Sequence, residues 1–277
     1  MSRNPYQENP KEPKLKSSVF VFMDILGYKE MITEAQKNKT DQELLVKLHH
    51  ALSGGRAILE RDLKIDSEYV DKDLFAFKGF TDNIVIGIPI SGDGEMELGD
   101  AFGKVAEFQL QMVLQGFFLR GAISIGQAFI DDIAVFGDAL NQSYLGECTL
   151  ARDPRIILTE SAVNAVDQHL EYYGRKKFAP QARDLLKDAD GQIFVNYLDM
   201  ILIAEEESGP FYDFLAKHKD SVEKKLKDFK NAPPIFAKYS WVAEYHNFYC
   251  DLHKHHFSDE HKINTDLFRA PPSLIVD

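Results

Sequence analysis

The chain has 277 residues, 44% hydrophobic and 27% charged, which is enough apolar material for one large domain or two modest ones. Its 32 Lys and Arg against 44 Asp and Glu leave a formal net charge of -12, which repels phosphate backbones and argues against non-specific DNA or RNA binding. Two cysteines are too few for a disulfide framework or a Cys-based zinc site, and no run approaches the roughly 18 apolar residues of a membrane span, so reduced thiols and a cytoplasmic, membrane-free protein are expected.

Residues 1–17 are polar and carry Pro5, Pro10 and Pro13, the texture of a flexible lead-in. Ser18 to Met23 is a short apolar run rich in β-branched and aromatic residues, closed by Asp24 and Gly27, and reads as a buried central strand. Helical spacing follows from Tyr28 to about Leu63, with Leu44, Leu45, Leu48, Leu52 and Ile58 on one side and a soft spot at Ser53-Gly54-Gly55. Leu74 to Phe80 and Asn83 to Ile88 are strand-like and separated by Thr81-Asp82 alone, which predicts a β-hairpin with Asp82 at its tip. After a turn at Ser91–Gly94, an amphipathic helix is expected over Asp100–Gln115, with Val105, Phe108 and Met112 toward the core. Phe117 to Gly126 is a strand, Ala139 to Ala151 a helix, and Pro154 to Leu158 a further strand. Thr159-Glu160-Ser161 then starts a helix, with hydroxyls placed to cap free amides. Strands and helices interleave, which argues for an α/β or α+β layer fold.

Beyond residue 190 the texture changes. Gln192–Ile203 has strand character, and Phe211–Phe229 and Pro234–His253 read as two helices, the first with lysines 217, 219, 224, 225, 227 and 230 on a solvated face. The division expected is a lead-in over 1–17, a core domain over 18–190, and a strand and helical extension over 191–277. His246, His253, His255, His256 and His261 cluster near Asp251. Their spacing matches no metal motif, which favours a polar tail over a metal site.

Asp24 and Asp82 stand out by location. As single residues they read as turn residues. If their strands are neighbours in one sheet, however, both carboxylates emerge at one edge and can share hard divalent cations, the arrangement in-line displacement at phosphorus uses. No Gly-x-x-x-x-Gly-Lys-Ser/Thr loop, Gly-x-Gly-x-x-Gly turn or Gly-x-Ser-x-Gly elbow is present, which sets aside P-loop, Rossmann and serine-hydrolase chemistry.

Four segments resemble the class III nucleotide cyclases. Phe22-Met23-Asp24-Ile25-Leu26-Gly27-Tyr28 is similar to the motif that opens those domains, and Lys78-Gly79-Phe80-Thr81-Asp82 to their metal-binding hairpin. Arg120 to Gly126 resembles the strand that follows, and Gly137-Asp138-Ala139-Leu140-Asn141 the next helix start. The resemblance implies an α+β palm domain, a central mostly antiparallel sheet with flanking helices, plus the helical C-terminal extension. It further implies a site at a head-to-tail homodimer interface. Asp24, Asp82 and the Ile25 carbonyl would hold two Mn²⁺ or Mg²⁺ ions, and the amides after Ile25, with Gly27 and Tyr28, would meet the triphosphate. Arg120 would face the phosphates, Lys78 the base, and Asn141 the ribose from the partner chain.

Two positions depart from the purine enzymes. Ala134 stands where a second base-reading side chain is expected, and Leu145 where the transition-state arginine follows the helix asparagine, with Arg152 or Arg155 as substitutes. Ser124 replaces the usual histidine. Phe136-Gly137-Asp138-Ala139-Leu140, Tyr144-Leu145-Gly146-Glu147, Pro154-Arg155-Ile156 and the segment from Lys238 to Asn247 resemble the bacterial pyrimidine cyclases of Pycsar anti-phage systems. That resemblance implies conversion of UTP, or alternatively CTP, to a cyclic monophosphate sensed by a separate effector. A catalytically inactive nucleotide-binding module and a two-metal phosphohydrolase are the competing readings.

Overall fold

A computed structural model describes residues 4–7, 12–60, 75–179, 181–202 and 212–268. The chain divides into two compact units, Met1–Met200 and Ile201–Asp277.

The first unit is built on a sheet of β1 (Lys16–Ile25), β2 (Ala76–Phe80), β3 (Asn83–Pro89), β4 (Leu119–Ile130), β5 (Val135–Phe136), β6 (Ile156–Leu158), β7 (Leu185–Lys187) and β8 (Ile193–Val195). The order is β2-β3-β1-β4-β6-β8-β7, with β5 folded onto β4. Among the described residues only β4 and β6 run parallel, and the other pairings are antiparallel. β1 is buried without interruption from Ser18 to Met23 because it is central and covered on both faces. The pleat sends Phe20 and Phe22 to one face, where they cluster with Ala76, Val85, Ala128 and Ala139. Ala139 belongs to α4 (Asp138–Thr149), which covers that face; Tyr144 of the same helix meets Phe22 edge-on at 5.5 Å. Phe77, one residue along β2 from Ala76, points the other way and meets Phe108 of α3 (Glu95–Leu114) at 6.1 Å. The unit is therefore a mixed α/β layer structure, a central sheet flanked by helices.

Several expectations change. The helical stretch after Tyr28 is two helices, α1 (Tyr28–Asn38) and α2 (Asp41–Leu59), broken at Lys39 in the left-handed conformation rather than at Gly54-Gly55; residues 61–63 lie outside the described residues. Gly55 is a packing device instead. A Cβ there would stand 2.4 Å from the Phe108 ring, so its absence lets α2 approach α3. Leu45, expected inward, is 58% exposed. The β2–β3 hairpin closes through Thr81 and Asp82 as expected, while Leu74 lies outside the described residues. Thr159 occupies the N-cap of α5 (Glu160–Leu170) without capping it; its hydroxyl donates to the Ile123 carbonyl, and Ser161 accepts from the Ile125 amide, so both hydroxyls tie the helix to β4.

The domain limits also move. Lys16 and Ser17 already belong to β1, and Tyr6 is buried, its hydroxyl donating to Ser18 Oγ at 2.7 Å, so the described part of the lead-in is docked. At the other end, β8 pairs with β6 and β7, which carries the first unit past residue 190 to Met200. Only Ile193–Val195 of the expected 192–203 strand is extended; Tyr197–Ile201 is a 3-10 turn and Ile203 lies outside the described residues.

The second unit contains α7 (Tyr212–Asp228) and α8 (Pro233–Leu252), α6 being the short Gln181–Asp184 turn of the first. Lysines 217, 224, 227 and 230 are exposed, as a solvated face requires. The expected polar tail is instead packed down. Phe257 and Ile263 are buried, and Asn247 of α8 clamps Ile263 through both its amide and its carbonyl, at 2.9 and 2.8 Å. His246 is not at a surface cluster either. It is buried against His218 of α7, with the two Nδ1 atoms 2.9 Å apart and the rings stacked.

His246 Nε2 faces the His261 carbonyl, which can only accept, so its proton sits on Nε2. His246 Nδ1 is then the acceptor and His218 the donor, which makes the His246 ring neutral. Burial depresses both imidazoles, His246 to about 4 and His218 well below its ordinary value. An unfolded chain takes up these protons near pH 6.5, whereas the folded one resists. The contribution of this pair should therefore fall as the pH drops below 6.5, by up to about 1.4 kcal/mol per pH unit for each imidazole that stays neutral. The sole tryptophan, Trp241, lies on α8 and stacks on Tyr245, so its emission in urea melts at pH 7 and pH 4.5 reads this out. Coincident midpoints would contradict it. No helix among the described residues is long and apolar enough to cross a membrane.

Candidate functional site

The end of β1 sets the site. Register places Asp24 opposite Asn83 of β3 on one side and Arg120 of β4 on the other. Asp24 is two residues from Phe22, so its side chain stands on the face that α4 covers. The hairpin then brings Asp82 alongside: the Ile25 amide donates to the Asp82 carbonyl at 3.0 Å. Thus two residues 58 positions apart meet because β1 and β3 share one ladder and the β2–β3 turn has two residues.

The Arg120 Nε lies 3.3 Å from Asp24 Oδ2 and 2.6 Å from Oε1 of Glu147. Glu147 comes from α4, and its side chain is only 4% exposed. Its other oxygen accepts from Cys148 Sγ at 3.1 Å. Burial pushes the Asp24 carboxyl up to about 6; Arg120 draws it back, and the negative charges of Glu147 and Asp82 raise it again. Asp82 Oδ1 accepts from Thr81 Oγ1 at 2.7 Å and Asn83 Nδ2 at 3.1 Å, bonds made within the turn itself. Thr81 adopts a left-handed φ of 56° to make this tip.

Gly27 is the N-cap of α1 with φ 74°, a conformation that glycine takes freely and that turns the chain from strand to helix within two residues of Ile25. Helix geometry leaves the amides from Gly27 to Glu30 without intrahelical acceptors, the usual makings of an anion seat. The Ile25 and Leu26 amides do not join them, because they donate to Asp82 and Phe118 carbonyls. Tyr28, half-buried, is the first residue of α1.

Hard divalent ions take oxygen ligands, and Mg²⁺ needs only one or two carboxylates when phosphates and water complete its shell. Asp24, Asp82 and the Ile25 carbonyl fit that donor set, in a spot where burial, with a smaller push from the charges of Glu147 and Asp82, raises Asp24. Among the described residues no group of three or more His, Cys, Asp or Glu is placed to hold a metal.

Asp24, Asp82, Arg120, Gly27 and Tyr28 gather at this edge. Asn141 does not: it is exposed on α4, six residues from Glu147 and hence on a different face of the helix. Lys78 shares the α4-side face of the sheet but reaches the carbonyls of Asp131 and Asp132 at 3.0 and 3.1 Å, in the β4–β5 turn that also holds Ala134. Arg155 is fully buried and paired with Asp188 and Asp190, while Arg152 is exposed and 3.7 Å from Asp190. Arg155 is thereby committed to the β7–β8 turn. Ser124 is buried and donates to the Ala139 carbonyl at 2.7 Å, fastening α4 to β4. Glu147 escaped the sequence reading. The signal for it was a carboxylate four residues from Ser143 and eight from Ala139, on the helix face otherwise made of small buried residues.

No family model matches this chain, and no curated protein does. A matching solved structure is the crystal structure of a class III adenylyl cyclase-like ATP-binding protein from Pseudomonas aeruginosa. It is 14% identical with a TM-score of 0.41, over 61% of this chain and 40% of that one. This chain thus spans less than half the length of that protein.

Proposed function

We propose that this protein is a nucleotide cyclase that converts UTP to 3′,5′-cyclic UMP and pyrophosphate, as the signal generator of an anti-phage response read by a separate effector. The observation that carries this reading is the convergence of Asp24 and Asp82 at one sheet end, with Arg120 in register beside them and free α1 amides following. Asp24, Asp82 and the Ile25 carbonyl would hold two Mn²⁺ or Mg²⁺ ions. Ions held there would lower the pKa of the ribose 3′-hydroxyl and neutralise the departing pyrophosphate. The α1 amides orient the phosphates, and Arg120 adds positive charge as the α-phosphorus is attacked by the 3′-oxygen.

A homodimer belongs to this reading. Phe80, Ile133 and Phe136 are 73%, 90% and 65% exposed, apolar surface that a second copy would cover, and the exposed Asn141 would serve the ribose across that contact. A second reading, a nucleotide-binding module without turnover, draws on the exposed Leu145 and the buried pairing of Arg155.

Incubating the purified chain with each of the four ribonucleoside triphosphates and Mn²⁺ separates these. Cyclic UMP with pyrophosphate is expected, whereas cyclic CMP would reassign the base. Binding without product would support the module, and linear monophosphate would replace cyclisation by hydrolysis.

A further inference from the structure

Glu147 has no part in the chemistry above, yet it is a nearly fully buried carboxylate placed against that site. A buried charge costs several kcal/mol unless paired, so its partners define its work. They are Arg120 and the Cys148 thiol. Its approach is made possible by Gly146, where a Cβ would stand 2.8 Å from that of Ala122; the bare backbone lets α4 settle onto β4. The Arg120 Nε–H points at Asp24 Oδ2, while Glu147 Oε1 sits closer to Nε but off that axis, without an aligned hydrogen bond. One guanidinium is thus divided between two carboxylates. An arginine facing a single carboxylate settles on it with parallel hydrogen bonds and neutralises it. Two competing carboxylates prevent that.

We propose that Glu147 is a positioning residue: by sharing Arg120 with Asp24, it keeps the Asp24 carboxylate open to a divalent cation. This rests on the reading of the Asp24–Asp82 edge as a cation site. With Glu147 neutralised, Arg120 turns wholly to Asp24 and competes with the ion.

The test is Mn²⁺ binding to the full chain, followed by electron paramagnetic resonance without nucleotide, in a double-mutant cycle of Glu147→Gln and Arg120→Ala. Glu147→Gln alone is expected to weaken Mn²⁺ binding about tenfold, the scale of one charge-assisted contact. In the Arg120→Ala background the same change should cost less than about threefold, since no arginine remains to collapse onto Asp24. Equal losses in both backgrounds would mean that Glu147 acts only by its charge through space, and would overturn the inference. So would unchanged affinity in the single variant. Glu147→Asp retains the charge on a shorter stem and should bind Mn²⁺ more tightly than Glu147→Gln; equal affinities would count against the inference. A parent chain that binds no Mn²⁺ would overturn the edge reading itself, an outcome distinct from the others.

Discussion

The Asp24→Asn variant is expected to lose cyclic-nucleotide formation by at least about 10²–10³-fold, the scale of removing one group that stabilises developing charge. At pH 8 it should also melt higher than the parent. Burial raises the Asp24 carboxyl to about 6, so between pH 4 and 6 the folded chain keeps a proton that the unfolded chain has released. The Asp24 contribution to stability therefore declines as pH climbs through that window, and above it the charged carboxylate exacts its full penalty. A shift of this size corresponds to about 2–3 kcal/mol. That figure already contains the Arg120 attraction, and an amide that fits the site less well than the protonated acid leaves a net gain of about 1–2 kcal/mol at pH 8 and none at pH 4. Thermal melts at the two pH values check this, and a variant less stable than the parent at pH 8 would contradict it. Asp82→Ala should be equally inactive, yet change stability by less than about 1 kcal/mol, since it surrenders only bonds within its own half-buried turn. Retained turnover in either variant would remove that aspartate from the mechanism.

Replacing Arg155 should produce the largest stability loss. Its side chain is fully buried, pairs with Asp188 and Asp190 in the β7–β8 turn, lies 3.8 Å from Asp153, and stands over the Phe194 ring. Arg155→Met keeps most of the volume but leaves carboxylates without their counter-charge, an effect of about 3 kcal/mol. Adding Asp188→Asn and Asp190→Asn to that variant should recover part of the loss, because the stranded negative charges go with them. Urea midpoints of the parent, the single and the triple variant measure this. A single variant as stable as the parent would show that the buried ions are neutral in net effect.

The strands, and the neighbouring of the β1 end and the hairpin tip, were legible because short apolar runs bounded by Asp24, Gly27 and Thr81-Asp82 leave few ways to pair. What stayed hidden was decided by tertiary contact. Gly54-Gly55 has the composition of a break, but close packing on Phe108 keeps it helical, while the actual interruption fell at Lys39. Tyr6 belongs to a proline-rich polar stretch, and only the pocket beside Gly87 and Ser18 explains its burial. Among the histidines, His246 stands in sequence beside His253, His255 and His256, while its true companion, His218, lies on another helix. The aspartates were visible as candidates, whereas the arginine–glutamate pairing beside them depends on how α4 lies across β4, which no local pattern encodes.

The gap between Asp24 and Asp82 is spanned by paired backbone alone, from the β1–β3 ladder to the Ile25–Asp82 hydrogen bond. Insertions in the surface connections can lengthen the chain without altering that caliper, but a one-residue slip of β1 would swing its carboxylate to the opposite side of the sheet. Attempts to transplant this pair into another scaffold must therefore carry both strands and their turn as one piece.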